Sequence, residues 1–222
     1  MLMKIDNEIL RLLMRSGALI ELTTAIIGSI YINKYKETPL KFFIILLWYT
    51  AINEILVIFH FREISKFNSL TYNIYNVINF TYLFFLFKYY LSNRKNKVLV
   101  TIFLIMYLLV FFINGFFENY LTDFQRLPYI LAALFLIMTI VLYFIEVLNS
   151  EKVLFANKSL IFWISVGLLI YFVGIIPFRF LRNYYEYLTD ATIYFLVIFS
   201  LTVIMNICFI IGFIWSNKKQ PY

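Results

Sequence analysis

Glu21 and Glu54 are the residues from which chemistry could start, because each stands inside a long apolar run of the 222-residue chain. A carboxylate at the middle of a lipid-embedded helix costs about 2.5–3.5 kcal/mol on insertion scales, so each must turn towards protein or water and meet a partner there. Gly17, Glu21, Thr24 and Gly28 are each about one turn apart, which places them on one helical stripe. The small residues permit close helix approach, and the stripe is expected to face a bundle interior. In the second run Thr50, Asn53 and Glu54 gather on one side, between Trp48 and His60. In the third, Tyr72, Tyr75, Asn76, Asn79 and Tyr82 or Leu83 recur at helical spacing. Such a ladder either hydrogen-bonds between helices, at about 0.6–2 kcal/mol per bond, or lines a cavity for a small ligand. Asn206, with Thr202 one turn earlier, is expected to bond across to a neighbouring helix. For Glu21, Asn53, Glu54, Asn76, Asn79 and Asn206, the structural and the ligand-binding roles both stay open.

Several chemistries are excluded. His60 is the single histidine, so no site built from several His ligands exists, and Cys208 is the single cysteine, so no disulfide forms within the chain. HExxH, GxSxG, Gly-rich phosphate loops and paired-cysteine metal motifs are absent. No lysine lies between Thr189 and Asn217, which removes a retinal Schiff base, and no helix carries the repeated arginines of a voltage sensor. The expectation is a protein that is not an enzyme and takes no cofactor or metal.

The elements that must position these residues follow from composition. The chain is 63% hydrophobic and 14% charged, against roughly 45–50% and 25% for a soluble domain. A globule in water could not hide so much apolar surface. Runs able to cross a hydrocarbon layer of about 30 Å fall near 12–32, 40–59, 70–91, 98–117, 128–147, 159–178 and 190–215. Lipid requires backbone bonds to close within each segment, so the runs predict helices. The expected fold is all-α: one domain over 1–222, a polytopic bundle of seven transmembrane helices. Pro39 and Pro128 stand at run starts, where a missing donor costs nothing, and Pro177 is expected to close the sixth run. The charged N-terminus is read as part of a retained first helix, not as a cleaved signal, because Glu21 interrupts the apolar run and no small-residue cleavage site follows. No internal repeat is visible, so a transporter with symmetric halves has no support.

The net charge is +7, and the cations sit between the apolar runs, as membrane topology requires, instead of forming a nucleic-acid surface. Of 19 Lys and Arg residues, eleven fall on the side of the C-terminus. That excess predicts a cytoplasmic C-terminus and an external N-terminus. Lys34, Lys36, Lys41, Arg94, Lys95 and Lys97 then form a cytoplasmic basic rim suited to anionic lipid headgroups. Arg179, Arg182, Glu186 and Asp190 fall at the external mouth, either as solvated loop charges or as a lid. Gly167 and Gly174, seven residues apart with Tyr171 between them, predict close packing of the sixth helix on a neighbour.

The stretches TAINEILVIFHFREISKFNSLTYNIYNVINFTYLFFLFKYYL, NKSLIFWISVGLLIYFVGIIPF and MNICFIIGFIWSNKK resemble a family of small seven-helix inner-membrane proteins of Bacteroidota whose biochemistry is not settled. That family's Thr-Glu pair corresponds to Asn53-Glu54 here, its Asn/Tyr-Asn pair to Tyr75-Asn76, and its Pro-x-Phe-Trp-Ile opening to Leu160, Phe162, Trp163 and Ile164. Asn stands for Thr at 53 and Leu for Pro at 160, and Thr81 lies where the family carries a third-helix Glu. Because members are often encoded near sensor kinases, the resemblance implies a signalling accessory. A more distant analogy is to membrane proteins that accompany RNA-targeting CRISPR systems.

The leading expectation is a multi-pass inner-membrane sensor that binds a small or lipidic ligand among its interior polar residues. Having no output domain, it would signal through a membrane or cytoplasmic partner protein. The alternative is a homo-oligomeric membrane effector or channel, with a small transporter or an intramembrane enzyme using Glu21, Glu54 and His60 third.

Overall fold

The computed structural model describes residues 7–60, 68–180 and 192–217. Within them the chain is all-helical: α1 (Asn7–Ile30), α2 (Leu40–His60), α3 (Asn68–Tyr90), α4 (Arg94–Asn114), α5 (Arg126–Leu148), α6 (Leu160–Phe180) and α7 (Thr192–Trp215). Short 3-10 segments at Ile32–Lys34 and Glu151–Lys158 link α1 to α2 and α5 to α6. Among the described residues four helices, those at Arg94–Asn114, Arg126–Leu148, Leu160–Phe180 and Leu196–Trp215, are long and apolar enough to cross a membrane. α3 is more dilute, since Asn, Thr and Tyr fill its ladder positions.

The described connections fold successive helices back on one another, so the bundle has two ends. At one, which we call the loop end, the 115–125 segment meets the start of α3. The Asn73 amide donates to the Tyr120 and Asp123 carbonyls at 3.0 and 2.9 Å and accepts from the Gln125 N–H at 3.1 Å. The Tyr120 hydroxyl donates to the Phe111 and Phe112 carbonyls at 2.9 and 3.2 Å, satisfying groups that the end of α4 leaves open. Glu118 accepts from Asn114 at 2.8 Å and Asp123 accepts from the Asn119 N–H at 3.1 Å, so these loop carboxylates close the loop on itself.

At the tail end, Lys34 donates to the carbonyls of Phe213 and Ser216, both at 3.0 Å, and stands 4.3 Å from the Tyr31 ring centroid. A cation on unsatisfied carbonyls complements the negative end of α7. This Lys34 is therefore engaged with the protein and is not a free member of the basic rim. Partial burial lowers its pKa from the ordinary lysine value. Beside it the Tyr35 hydroxyl hydrogen-bonds Ser216, and burial pushes the Tyr35 phenol up to about 12. Glu146 in the last turn of α5 accepts from the Ser92 N–H at 2.5 Å, the Asn93 N–H at 3.2 Å and the Asn96 amide at 2.7 Å, placing a carboxylate at the N-terminus of α4.

Packing divides the helices into two groups. α7 lies along α6 and α1, and α1 along α2; α5 touches α3, α4 and α6. Close approach at the α6–α7 seam depends on glycine: a Cβ on Gly167 would sit 3.0 Å from the Met205 carbonyl oxygen, and one on Gly212 would sit 2.8 Å from the Trp163 Cβ. The packing expected from Gly167 and Gly174 is thus observed, with α7 as the neighbour. The α1 stripe faces inward too, since Thr24 is fully buried and a Cβ on Gly28 would meet the Phe213 ring at 3.0 Å. The core is aromatic: Phe80 lies 5.5–5.6 Å, centroid to centroid, from Tyr107, Tyr129 and Phe172, which ties α3 to α4, α5 and α6. Pro177 does not close α6. The helix continues to Phe180, because a proline in the last turn removes few backbone bonds.

Candidate functional site

α1 delivers Glu21, α2 delivers Glu54 and α6 delivers Arg179 to one region of the interior, toward the loop end. The two carboxylates lie within electrostatic range of each other, and Glu54 lies within range of Arg179. The Arg179 guanidinium stands 5.0 Å from the Phe124 ring centroid and 4.9 Å from that of Tyr129, so aromatic faces hold its charge as well. Tyr75 of α3 is within range of both carboxylates, and Tyr171 of α6 is within range of Glu21 and Arg179. The Thr50 hydroxyl bonds the Tyr75 hydroxyl at 3.2 Å and the Leu46 carbonyl at 3.0 Å, while Tyr49 stacks on Tyr75 at 5.8 Å. Four helices are thereby joined around one polar centre.

Three buried polar atoms here lack a hydrogen bond, one of them the Nε of Arg179, whose guanidinium is otherwise engaged with aromatic rings. Glu21 Oε2 and Asn53 Nδ2 are buried with no hydrogen-bond partner. An unpaired buried donor or acceptor costs about 1–3 kcal/mol, so native interiors seldom keep one without a reason. An acceptor and a donor left open near the same carboxylates can receive a small polar group or a proton.

The other expected site residues are not joined to the carboxylates by hydrogen bonds among the described residues. Asn76 is buried and Asn79 half-buried on α3, and among the described residues neither makes a hydrogen bond to the carboxylates. Asn206 is buried, but its amide donates to the Thr202 carbonyl at 2.9 Å, one turn back in its own helix. The expected bond across helices is replaced by this local one, because the carbonyl one turn earlier is always within reach of an Asn side chain. Arg179 departs from expectation as well: it is a half-buried member of α6, not a solvated loop charge. Its spacing carried a signal, since Gly167, Tyr171, Ile175 and Arg179 recur every four residues on one stripe. Arg182, Glu186, Asp190, Lys218, Lys219 and the His60 side chain lie outside the described residues.

A cleft of about 470 Å³ opens at the opposite, tail end, lined by Tyr90, Ser92, Tyr143, Glu146 and Asn149 among others. Its one carboxylate already accepts three hydrogen bonds, so that cleft offers less unspent polar capacity than the interior. No protein-family model, curated protein or solved structure matches this chain.

Proposed function

We propose that the chain is a multi-pass protein of the bacterial inner membrane that crosses it seven times, with the N-terminus outside and the C-terminus in the cytoplasm. In this reading it is a sensor or signalling accessory that holds a small or lipidic ligand in its polar interior and acts through a partner protein. Kinship with the Bacteroidota family forms part of the proposal, on the residues quoted above. The membrane reading draws support from four helices of spanning length and apolarity. The orientation rests on the gathering of Lys34, Lys36, Lys41, Arg94, Lys95, Lys97 and Lys158 at the tail end.

One observation carries the functional reading: charges from α1, α2 and α6 converge in an apolar interior with polar atoms unsatisfied. A ligand satisfying them couples three helices whose tail ends adjoin the proposed cytoplasmic surface. Ligand at a hundredfold excess over its Kd stabilises the bound state by about 2.7 kcal/mol. The test is thermal unfolding of the protein in lipid nanodiscs, with a bacterial polar lipid extract and glycine betaine as probes. A rise in Tm with either probe that disappears in Glu54→Gln supports the site. A rise that persists in Glu54→Gln, or no rise with either probe, counts against it.

A homo-oligomeric pore is the second reading, favoured by the bare outer face of α4, where Ile102, Ile105, Met106, Leu109 and Phe112 are exposed. Depolarisation of expressing cells, read with a potential-sensitive dye and abolished by Glu54→Gln, would select it; unchanged potential would reject it.

A further inference from the structure

We propose that Glu21 and Glu54 form a proton-binding site, in which the pair holds one proton on Glu21 while Arg179 balances the charge of Glu54. This deepens the reading of the interior as the functional region and rests on it in one respect, that hydrocarbon and not water surrounds the bundle.

The charge count leads to the proton. Among the described residues, the groups within range of the pair are Tyr75 from α3 and Tyr171 and Arg179 from α6, with Tyr129 of α5 in range of the two tyrosines, while α7 carries no charged side chain in its sequence. Tyrosines are neutral under ordinary conditions, which leaves two acids and one guanidinium among the described residues. With both acids ionised, the centre carries one uncompensated negative charge. Such a charge in a medium of low dielectric is far more costly than a neutral carboxyl group, so one positive charge must be taken up.

The geometry limits what can supply it. Glu21 Oε2 is buried and makes no hydrogen bond, so the atom is closed off from bulk solvent. A proton reaches that atom without any rearrangement of the helices, whereas a larger ligand must first part them. The proton converts that open acceptor into an O–H donor directed towards a neighbouring oxygen. An alkali cation would need several oxygens around it, and among the described residues no group of three or more His, Cys, Asp or Glu side chains is gathered to hold a metal ion. Losing the proton leaves Glu21 and Glu54 as like charges on adjacent helices, which then repel. The expected consequence is a small separation of α1 from α2, and so a bundle whose shape depends on pH.

The test uses infrared spectra of the full chain in lipid nanodiscs at neutral pH, read at the carbonyl stretch of a protonated carboxyl group. The wild type is expected to show this band, shifted by deuterium exchange. Glu21→Gln is expected to lose it, because the proton-bearing group is gone and the Glu54–Arg179 pair remains. Glu54→Gln is expected to lose it as well, because Glu21 then serves as the counter-ion of Arg179. In Arg179→Gln neither acid has a counter-charge, and the band is expected to be roughly doubled. Should Arg179→Gln not accumulate, the two glutamine variants decide. A wild type lacking the band, or a Glu21→Gln protein retaining it, overturns the proposal. So does loss of the band on adding sodium chloride, which would assign the site to an alkali cation. The spectra need no ligand, so failure of the thermal-shift test and failure of this one are separate results.

Discussion

At the scale of single residues, the polar side chains do two kinds of work, and hydrogen-bond inventories separate them. Asn73, Glu146 and Lys34 have their capacity filled by backbone groups at the bundle ends. Glu21 and Asn53 keep buried atoms open. Asn73→Ala strips the 115–125 segment of three hydrogen bonds, and we expect a stability loss of about 1–3 kcal/mol, together with faster amide exchange confined to that segment. Unchanged exchange there would show that the loop holds itself. Tyr35 gives a pH dependence whose sign can be worked out. Its phenol is raised from 10.0 to about 12 in the folded protein, so the folded state holds that proton more tightly than the unfolded chain. The associated stability is complete below the ordinary tyrosine pKa and is lost as pH rises from there through the folded value. Tyr35→Phe should therefore flatten the alkaline limb of an unfolding profile, and an identical limb in both proteins would remove Tyr35 as its source. Nothing in the sequence singles out Asn73, which the ladder of Tyr72, Tyr75, Asn76, Asn79 and Tyr82 does not include. The carbonyls that select it arrive from residues 120 and 123, far along the chain.

At the scale of elements, helix positions were largely legible because lipid allows each apolar run one local solution. The seam between α6 and α7 was legible in part. Gly167 and Gly174 advertise close packing through their spacing, whereas Gly212 supplies the other side of the same contact from a distant run. The glycines should not respond alike. A Cβ at Gly212 meets the Trp163 Cβ at 2.8 Å, a point fixed to the backbone, so Gly212→Ala must part the helices at about 1–3 kcal/mol. A Cβ at Gly174 meets the Leu201 methyl groups at 2.6 and 2.9 Å, which can rotate away. The gain of up to about 1 kcal/mol from replacing a helical glycine then brings Gly174→Ala close to neutral. Comparing the midpoints of the two variants in detergent checks this ordering, and equal midpoints would contradict it. The extent of α6 was obscured by Pro177, which reads as a stop. The helix passes through it, and that extra turn brings Arg179 inside, within reach of Glu54. Half of the charge balance at the candidate site was hidden by this one proline.

At the scale of the molecule, composition announces the solvent, and the structure shows what the polar residues do in it. α4 exposes a broad apolar face, including Phe112 at 64%, while the carboxylates of α1 and α2 turn to the inside. Such an inside-out distribution suits a lipid surround, where exposed leucine and phenylalanine carry no penalty. The side of the membrane on which each end lies is set by basic residues and not by packing. A reporter active only in the cytoplasm, fused after Tyr222, should therefore be active, and silence there with activity in an N-terminal fusion would reverse the proposed orientation.

The most direct measurement of the central claim is residue-resolved labelling of membranes with a lipid-soluble alkyl diazirine, whose photoproduct prefers carboxylic acids. A hydrocarbon-embedded bundle with inward acids predicts adducts on the α4 face at Ile105, Leu109 and Phe112, and none on Glu21 or Glu54. Adducts on Glu21 or Glu54, or a chain left unlabelled by the membrane phase, would contradict it.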